Sequence, residues 1–226
     1  MSENSKYVCY GDIVYIELHD SILFSSGFYD KSLHLVSKDQ IATRSFRNGL
    51  FQLFPNYTYK DLGQVKLLES QLDLLKSLNP HETFAIEQLQ KDIKKEKEIL
   101  DTRQEKLDLL NKKIYNESKG KPIPYGQKVQ LLHVESQTFV RATKEPDRHD
   151  KSISLLELSE EGSRDLYFVF EPKVVMEMQA LYVEYNASVK LISCKTNQPI
   201  IRGPIDEDET KANLNPDTNG FTNNGT

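Results

Sequence analysis

The sequence has no tryptophan and only two cysteines in 226 residues. Cys9 and Cys194 are too few and too far apart for a disulfide framework. They read as small buried or half-buried hydrophobes. No apolar run approaches the ~18–20 residues of a membrane-crossing helix. The N-terminus, Met1-Ser2-Glu3-Asn4-Ser5-Lys6, is polar and lacks the apolar stretch of a secretory leader. A reducing, cytoplasmic compartment is therefore expected. In that setting the triplets at Asn56, Asn116, Asn186 and Asn224 are chance matches to a glycosylation acceptor. Neither sign of charge dominates. Lys and Arg number 29, Asp and Glu 34, for a net charge of −5, so no general nucleic-acid or anionic-membrane surface is expected.

Recognisable site chemistry is also missing. There is no glycine-rich phosphate loop, no Gly-x-Ser-x-Gly elbow and no His-Glu-x-x-His. His19, His34, His81, His133 and His149 are scattered singly and read as surface or strand-end residues. Asp206-Glu207-Asp208-Glu209 lacks the spaced oxygen ligands and glycine of a calcium loop. With the Asn-, Thr- and Gly-rich end that follows, it reads as a solvated tail over 204–226. Glu160-Glu161 before Gly162 reads as turn chemistry, not as a paired acid and base. No catalytic, cofactor-binding, metal or ligand-binding residue is assigned. No cofactor is expected, and the chain is expected not to be an enzyme.

What is present is a repeat. Val14-Tyr15-Ile16-Glu17-Leu18-His19-Asp20-Ser21 has counterparts in Val129–Ser136 and Val189–Thr196. Each opens on Val, alternates toward one apolar face and closes on a hydroxyl residue where a hairpin turn is expected. Phe24 and Phe139 lie three residues beyond their hydroxyls. A closing mark, Phe51-Gln52-Leu53-Phe54-Pro55, recurs as Phe168-Val169-Phe170-Glu171-Pro172. Proline there ends a strand because it brings no N–H to the ladder. Three such repeats, none able to bury its own apolar face, predict a mainly β fold, a three-fold β-trefoil over residues 7–203. By the spacing of the others, the third closing mark would fall at or beyond Thr226. The trefoil is therefore expected to lack its last strand or two and to leave an open edge.

Between the first and second repeats lies an insert of about 60–119, charged and helical in period. Val65, Leu68, Leu72 and Leu75 alternate by threes and fours. Ile86, Leu89, Ile93, Leu100, Leu107, Leu110 and Ile114 share one heptad frame, interrupted at Glu96 and Arg103. Asn79 reads as an N-cap and Pro80 as a first-turn residue of the second helix. The insert is an antiparallel helix-turn-helix arm by this reading. The second helix outruns the first, so an uncovered part of its seam would face a partner or the barrel.

Several segments carry a resemblance to a known family. They are Tyr10-Gly11-Asp12-Ile13, Phe46–Pro55, Tyr125–Ser136, Glu161-Gly162-Ser163 with Tyr167–Pro172, and Asn197-Gln198-Pro199-Ile200. From about Tyr7 to Gly203 the chain resembles the N-terminal suppressor domain of inositol trisphosphate receptors, related to the first domain of ryanodine receptors. The resemblance implies a β-trefoil with a helical arm between its first two repeats. It implies a regulatory module at the cytosolic face of the endoplasmic reticulum, part of a calcium-release channel. Such a module lowers inositol trisphosphate affinity and couples ligand binding to the pore. The implied partners are other domains or subunits of the channel, with no nucleic acid and no membrane insertion. Inositol trisphosphate is not expected to bind this segment alone. The competing expectation is a stand-alone β-trefoil of the MIR-like type that binds a glycan or peptide, or an adaptor with no channel.

Overall fold

The computed structural model describes residues 6–18, 20–25, 31–43, 46–146, 154–173, 181–202 and 212–214. The chain divides into two units, Met1–Asn56 with Tyr115–Thr226, and Tyr57–Ile114. The first is mainly β and the second helical.

In chain order the first repeat supplies β1 (Ile13–Val14), β2 (Glu17–Leu18), β3 (Ser21–Phe24), β4 (His34–Ser37) and β5 (Phe51–Pro55). The helices are α1 (Gly63–Leu78) and α2 (Thr83–Ser118). The second repeat supplies β6 (Lys128–His133), β7 (Thr138–Pro146), β8 (Ser154–Ser159) and β9 (Phe168–Pro172). The third supplies β10 (Val189–Ser193), β11 (Gln198–Arg202) and β12 (Ala212–Leu214). All pairings are antiparallel, in two sheets. β2, β3 and β4 form one. In the other, the β6–β9 pairing closes a ring that runs through β7, β8, β12, β11 and β10. β5 joins this ring at β6, and β1 pairs with β5.

A cycle of backbone hydrogen bonds ties the three repeats together. The Val8 N–H donates to Val183, Val183 to Ile123, and Ile123 back to Val8, each at 2.9 Å. The bridges Cys9–Pro122, Pro124–Tyr182 and Glu184–Tyr7 flank the cycle. All three side chains are buried. A closed cycle leaves no buried N–H or C=O without a partner at this point. Two residues on, Tyr10, Tyr125 and Tyr185 repeat it, donating to Lys121, Leu181 and Lys6. The following residue has positive φ in every copy: Gly11 at 90°, Gly126 at 74° and Asn186 at 62°. Glycine and asparagine are the residues that enter this region at least cost.

The opening strands and closing marks come together as the repeats predict. Phe51 lies opposite His133 and Phe168 opposite Ser193, while Pro55 and Pro172 end the same ladders at Val129 and Val189. Phe51 and Phe168 are fully buried, each worth about 1.5–3 kcal/mol of apolar burial.

Three expectations are corrected. Ser21 is not a turn residue. It is the first residue of β3 and lies opposite Leu18, because the first repeat turns in two residues where the others use four. The true counterpart of Phe139 is therefore Ile22 rather than Phe24. Asn79 does not start the second helix. Its N–H donates to Leu75 O at 2.8 Å and closes α1 instead, while α2 begins at Thr83. The stretch read as a polar tail contributes β12, which pairs with β8 and β11. Backbone pairing on both edges holds a strand there whatever the polarity of its surroundings. The acidic run 206–209 and residues 215–226 lie outside the described residues.

Within the helical unit, Val65, Leu72, Ile93 and Leu100 are buried, as the seam requires. Leu110 is exposed, however, and Asn111 is buried beside it. A strict heptad assumes 3.5 residues per turn, and an unsupercoiled helix at 3.6 drifts about 20° per heptad. Ile93, Leu100, Gln104 and Asn111 share one face of such a helix. The Asn111 carboxamide accepts the Thr58 N–H at 2.8 Å and donates to Thr58 O at 2.9 Å. The extended lead-in to α1 thus covers part of α2 that the shorter helix does not reach.

Candidate functional site

Polar residues in the first unit chiefly join repeats. The Asp12 carboxylate accepts the Tyr185 hydroxyl at 2.6 Å and the Cys9 N–H at 2.7 Å. That link connects the first repeat to the third. Burial and the Asp12 carboxylate both push the Tyr185 hydroxyl well above the usual phenol range. Burial alone pushes Tyr10 up to about 12. Lys195 donates to Asp165 at 2.6 Å and to Ala142 O at 3.1 Å, tying the third repeat's turn to the second repeat. Arg141 forms an ion pair with Glu157 between β7 and β8.

His133 is the last residue of β6, a strand-end histidine as expected, but it is fully buried rather than on the surface. Its Nε2 lies 3.0 Å from Asn48 O, and its Nδ1 lies 2.8 Å from Ser136 Oγ. The carbonyl can only accept, so Nε2–H donates a hydrogen bond to it, which leaves Nδ1 to accept from Ser136. Desolvation holds the ring below its ordinary pKa. Ser136 Oγ is also 2.5 Å from Thr138 Oγ1. Among the described residues the third repeat shows no such network. There Thr196 Oγ1 and Gln198 Oε1 are buried without a hydrogen-bond partner among the described residues.

The other singled-out residues do not converge. His81 is exposed in the turn between the helices, and His34 lies half-buried in β4. His19 and His149 lie outside the described residues. Cys9 is buried and Cys194 half-buried, both as free thiols. Burial raises both thiols above their ordinary pKa. Glu160 and Glu161 are exposed at a bend, where the Glu161 N–H donates to Ser159 Oγ at 3.2 Å. Among the described residues, no three His, Cys, Asp or Glu side chains stand close enough to hold a metal ion. Among the described residues no helix is long and apolar enough to cross a membrane.

The surface feature of the helical unit is apolar. Leu67, Leu74 and Leu78 lie on one face of α1, 52 %, 59 % and 68 % exposed, and Phe84 at the start of α2 is 80 % exposed. The seven- and four-residue spacings put the three leucines on one stripe. Heptad reasoning missed them because they fall off the buried frame, and a leucine off the frame is itself the signal. The recurring Tyr-Gly, Tyr-Gly and Tyr-Asn pairs are a further signal, one that asparagine in the third copy hides.

Among curated protein sequences none matches this chain. A model of the inositol 1,4,5-trisphosphate/ryanodine receptor family matches residues 3–215. That span is nearly the whole sequence and takes in both units, so the chain belongs to the inositol 1,4,5-trisphosphate/ryanodine receptor family.

Proposed function

We propose that the chain is a regulatory module of an intracellular calcium-release channel, acting as a suppressor-type N-terminal receptor domain. The observation that carries this reading is the family match over residues 3–215. On this reading the first unit is a β-trefoil. The cyclic hydrogen bonds among Val8, Ile123 and Val183 and the ring closed by β6 and β9 support it. The module sits at the cytosolic face of the endoplasmic reticulum and binds other domains of the channel. It lowers inositol trisphosphate affinity in the ligand-binding region, passes the effect of ligand toward the pore, and catalyses nothing itself.

The contact surface of this reading is the α1 stripe of Leu67, Leu74 and Leu78, with the exposed Phe84 at the start of α2. An exposed apolar stripe is a surface that water disfavours and a partner would cover. The test is co-elution of the purified chain with the ligand-binding region of an inositol trisphosphate receptor. A joint peak is expected, weakened by Leu78→Glu with Phe84→Glu at two exposed positions. Separate elution of the unmodified chain would count against the reading.

A further inference from the structure

The second and third repeats build the same four-residue turn from different side chains. The carbonyl of His133 accepts the Gln137 N–H at 2.9 Å, and that of Ser193 accepts the Asn197 N–H at 2.8 Å. Gln137 and Asn197 share a φ of 57°. The N–H that follows each strand is held from outside the turn, Val134 by Leu50 O and Cys194 by Tyr167 O. The ion pairs correspond with their charges exchanged. Glu135 faces Arg47 at 3.9 Å, and Lys195 faces Asp165 at 2.6 Å. The difference lies in the residue that opens the turn. In the third repeat Ser193 Oγ accepts the Lys195 N–H at 3.3 Å. In the second an imidazole takes that place.

The His133 ring is fully buried between fixed partners. Its Nε2 lies 3.0 Å from Asn48 O, a carbonyl that also accepts the Ser25 N–H at 3.0 Å. Its Nδ1 lies 2.8 Å from Ser136 Oγ and 3.3 Å from the Ser136 backbone nitrogen. A backbone N–H can only donate, so Nδ1 carries no proton in the closed turn. The Ser136 hydroxyl donates to Nδ1, and the Thr138 hydroxyl, 2.5 Å away, donates to Ser136 Oγ. Among the described charged groups, Glu135 in the turn favours a charged ring, and Arg47 in the 3-10 turn Phe46–Gly49 faces that carboxylate. β5 packs its Phe51 ring 5.5 Å from the imidazole and has no charged residue. On β7 the first charged residue, Arg141, is paired with Glu157. Desolvation outweighs Glu135 and holds the ring below its ordinary pKa.

We propose that the β6–β7 turn is an acid-sensitive latch, closed by neutral His133 and released by one proton on Nδ1, a response that the matching turn at Ser193 lacks. The proton comes from solvent and stays on the ring. Nδ1–H then donates to Ser136 Oγ, the Ser136 hydroxyl turns to donate to Thr138 Oγ1, and Nε2–H keeps its bond to Asn48 O. The hydroxyl chain reverses without losing a bond, but the Ser136 N–H now meets another N–H. The turn opens there or leaves that donor unpaired. The lowered ring pKa sets the sense of the effect. The stability contributed by the neutral ring is present above the unfolded value of about 6.5 and is lost as pH falls from there through the folded pKa. This rests on the paired turns and not on the channel assignment.

The test follows the unmodified full chain through an acid titration by NMR. It reads the His133 ring nitrogens and the exchange protection of two amides in one sample. At neutral pH the ring is expected as the Nε2–H tautomer. As it takes its second proton, below about pH 6.5, protection of the Ser136 amide is expected to fall about fivefold, the loss of one ordinary hydrogen bond. The Lys195 amide, held by Ser193 Oγ, is expected to keep its protection. Four results would overturn the proposal: the Nδ1–H tautomer at neutral pH, a ring that stays neutral until the chain unfolds, unchanged Ser136 protection as the ring charges, or an equal loss at Lys195. The last would mean a general loosening of the fold. Every readout uses the unmodified protein, so none depends on a variant folding.

Discussion

The two units of this chain are held by opposite kinds of contact. In the β unit, the residues that matter most to one another are far apart in sequence, as Val8, Ile123 and Val183 are. In the helical unit the contacts run between two helices joined by a short turn, with Asn111 and Thr58 as the longest reach described above. Local periodicity therefore reports on the arm directly. It reports on the β unit only through repetition, because each repeat relies on surfaces that the others supply. An error in one turn of the arm stays local, whereas an error at the cycle touches three repeats at once.

That contrast can be broken most forcefully at Ile123. Ile123→Ala removes a fully buried side chain at the cycle and is expected to cost about 2–5 kcal/mol. Denaturant titration measures the loss, and amide exchange should show it spreading to Val8 and Val183. A loss confined to the second repeat would contradict a shared core. Asn111→Ala should cost less, about 1–3 kcal/mol, because it leaves the N–H and C=O of Thr58 without their partner. Its exchange signature should stay within Tyr57–Ile114.

Gly126→Ala separates conformation from crowding. The φ of 74° is unfavourable for alanine, yet a Cβ there meets nothing within 4 Å. The expected cost is about 1 kcal/mol. Gly11→Ala at the equivalent place should cost more, since its Cβ would lie 3.2 Å from Lys119 Cγ. Equal costs would show that crowding there is relieved for free. The smallest effect is expected at the exposed Lys97–Glu69 pair, 2.8 Å apart. Lys97→Ala should change stability by under about 0.5 kcal/mol, less still in high salt.

Much of this was legible in the residues, for identifiable reasons. The opening valines and the Phe-x-x-x-Pro closing marks carry apolar side chains at alternating positions, so their strands could be read. The cycle could not, because its bonds are between backbone groups and leave only the Tyr-Gly and Tyr-Asn pairs as a trace. The buried polar residues were also opaque. His133 and Asn111 occupy core positions by virtue of hydrogen bonds to Asn48 O and Thr58, partners that no local pattern announces. The seam of α2 follows the predicted frame except near its end, where Asn111 is buried in place of the exposed Leu110, the accumulated difference between 3.5 and 3.6 residues per turn.

The regulatory reading rests on one measurable consequence, the affinity of a receptor's ligand-binding region for inositol trisphosphate. Titrating that region with ligand, first alone and then with this chain in excess, isolates the effect. The chain is predicted to weaken ligand binding, and Leu78→Glu with Phe84→Glu is predicted to restore it. Unchanged affinity in the presence of a demonstrably folded chain would contradict the account.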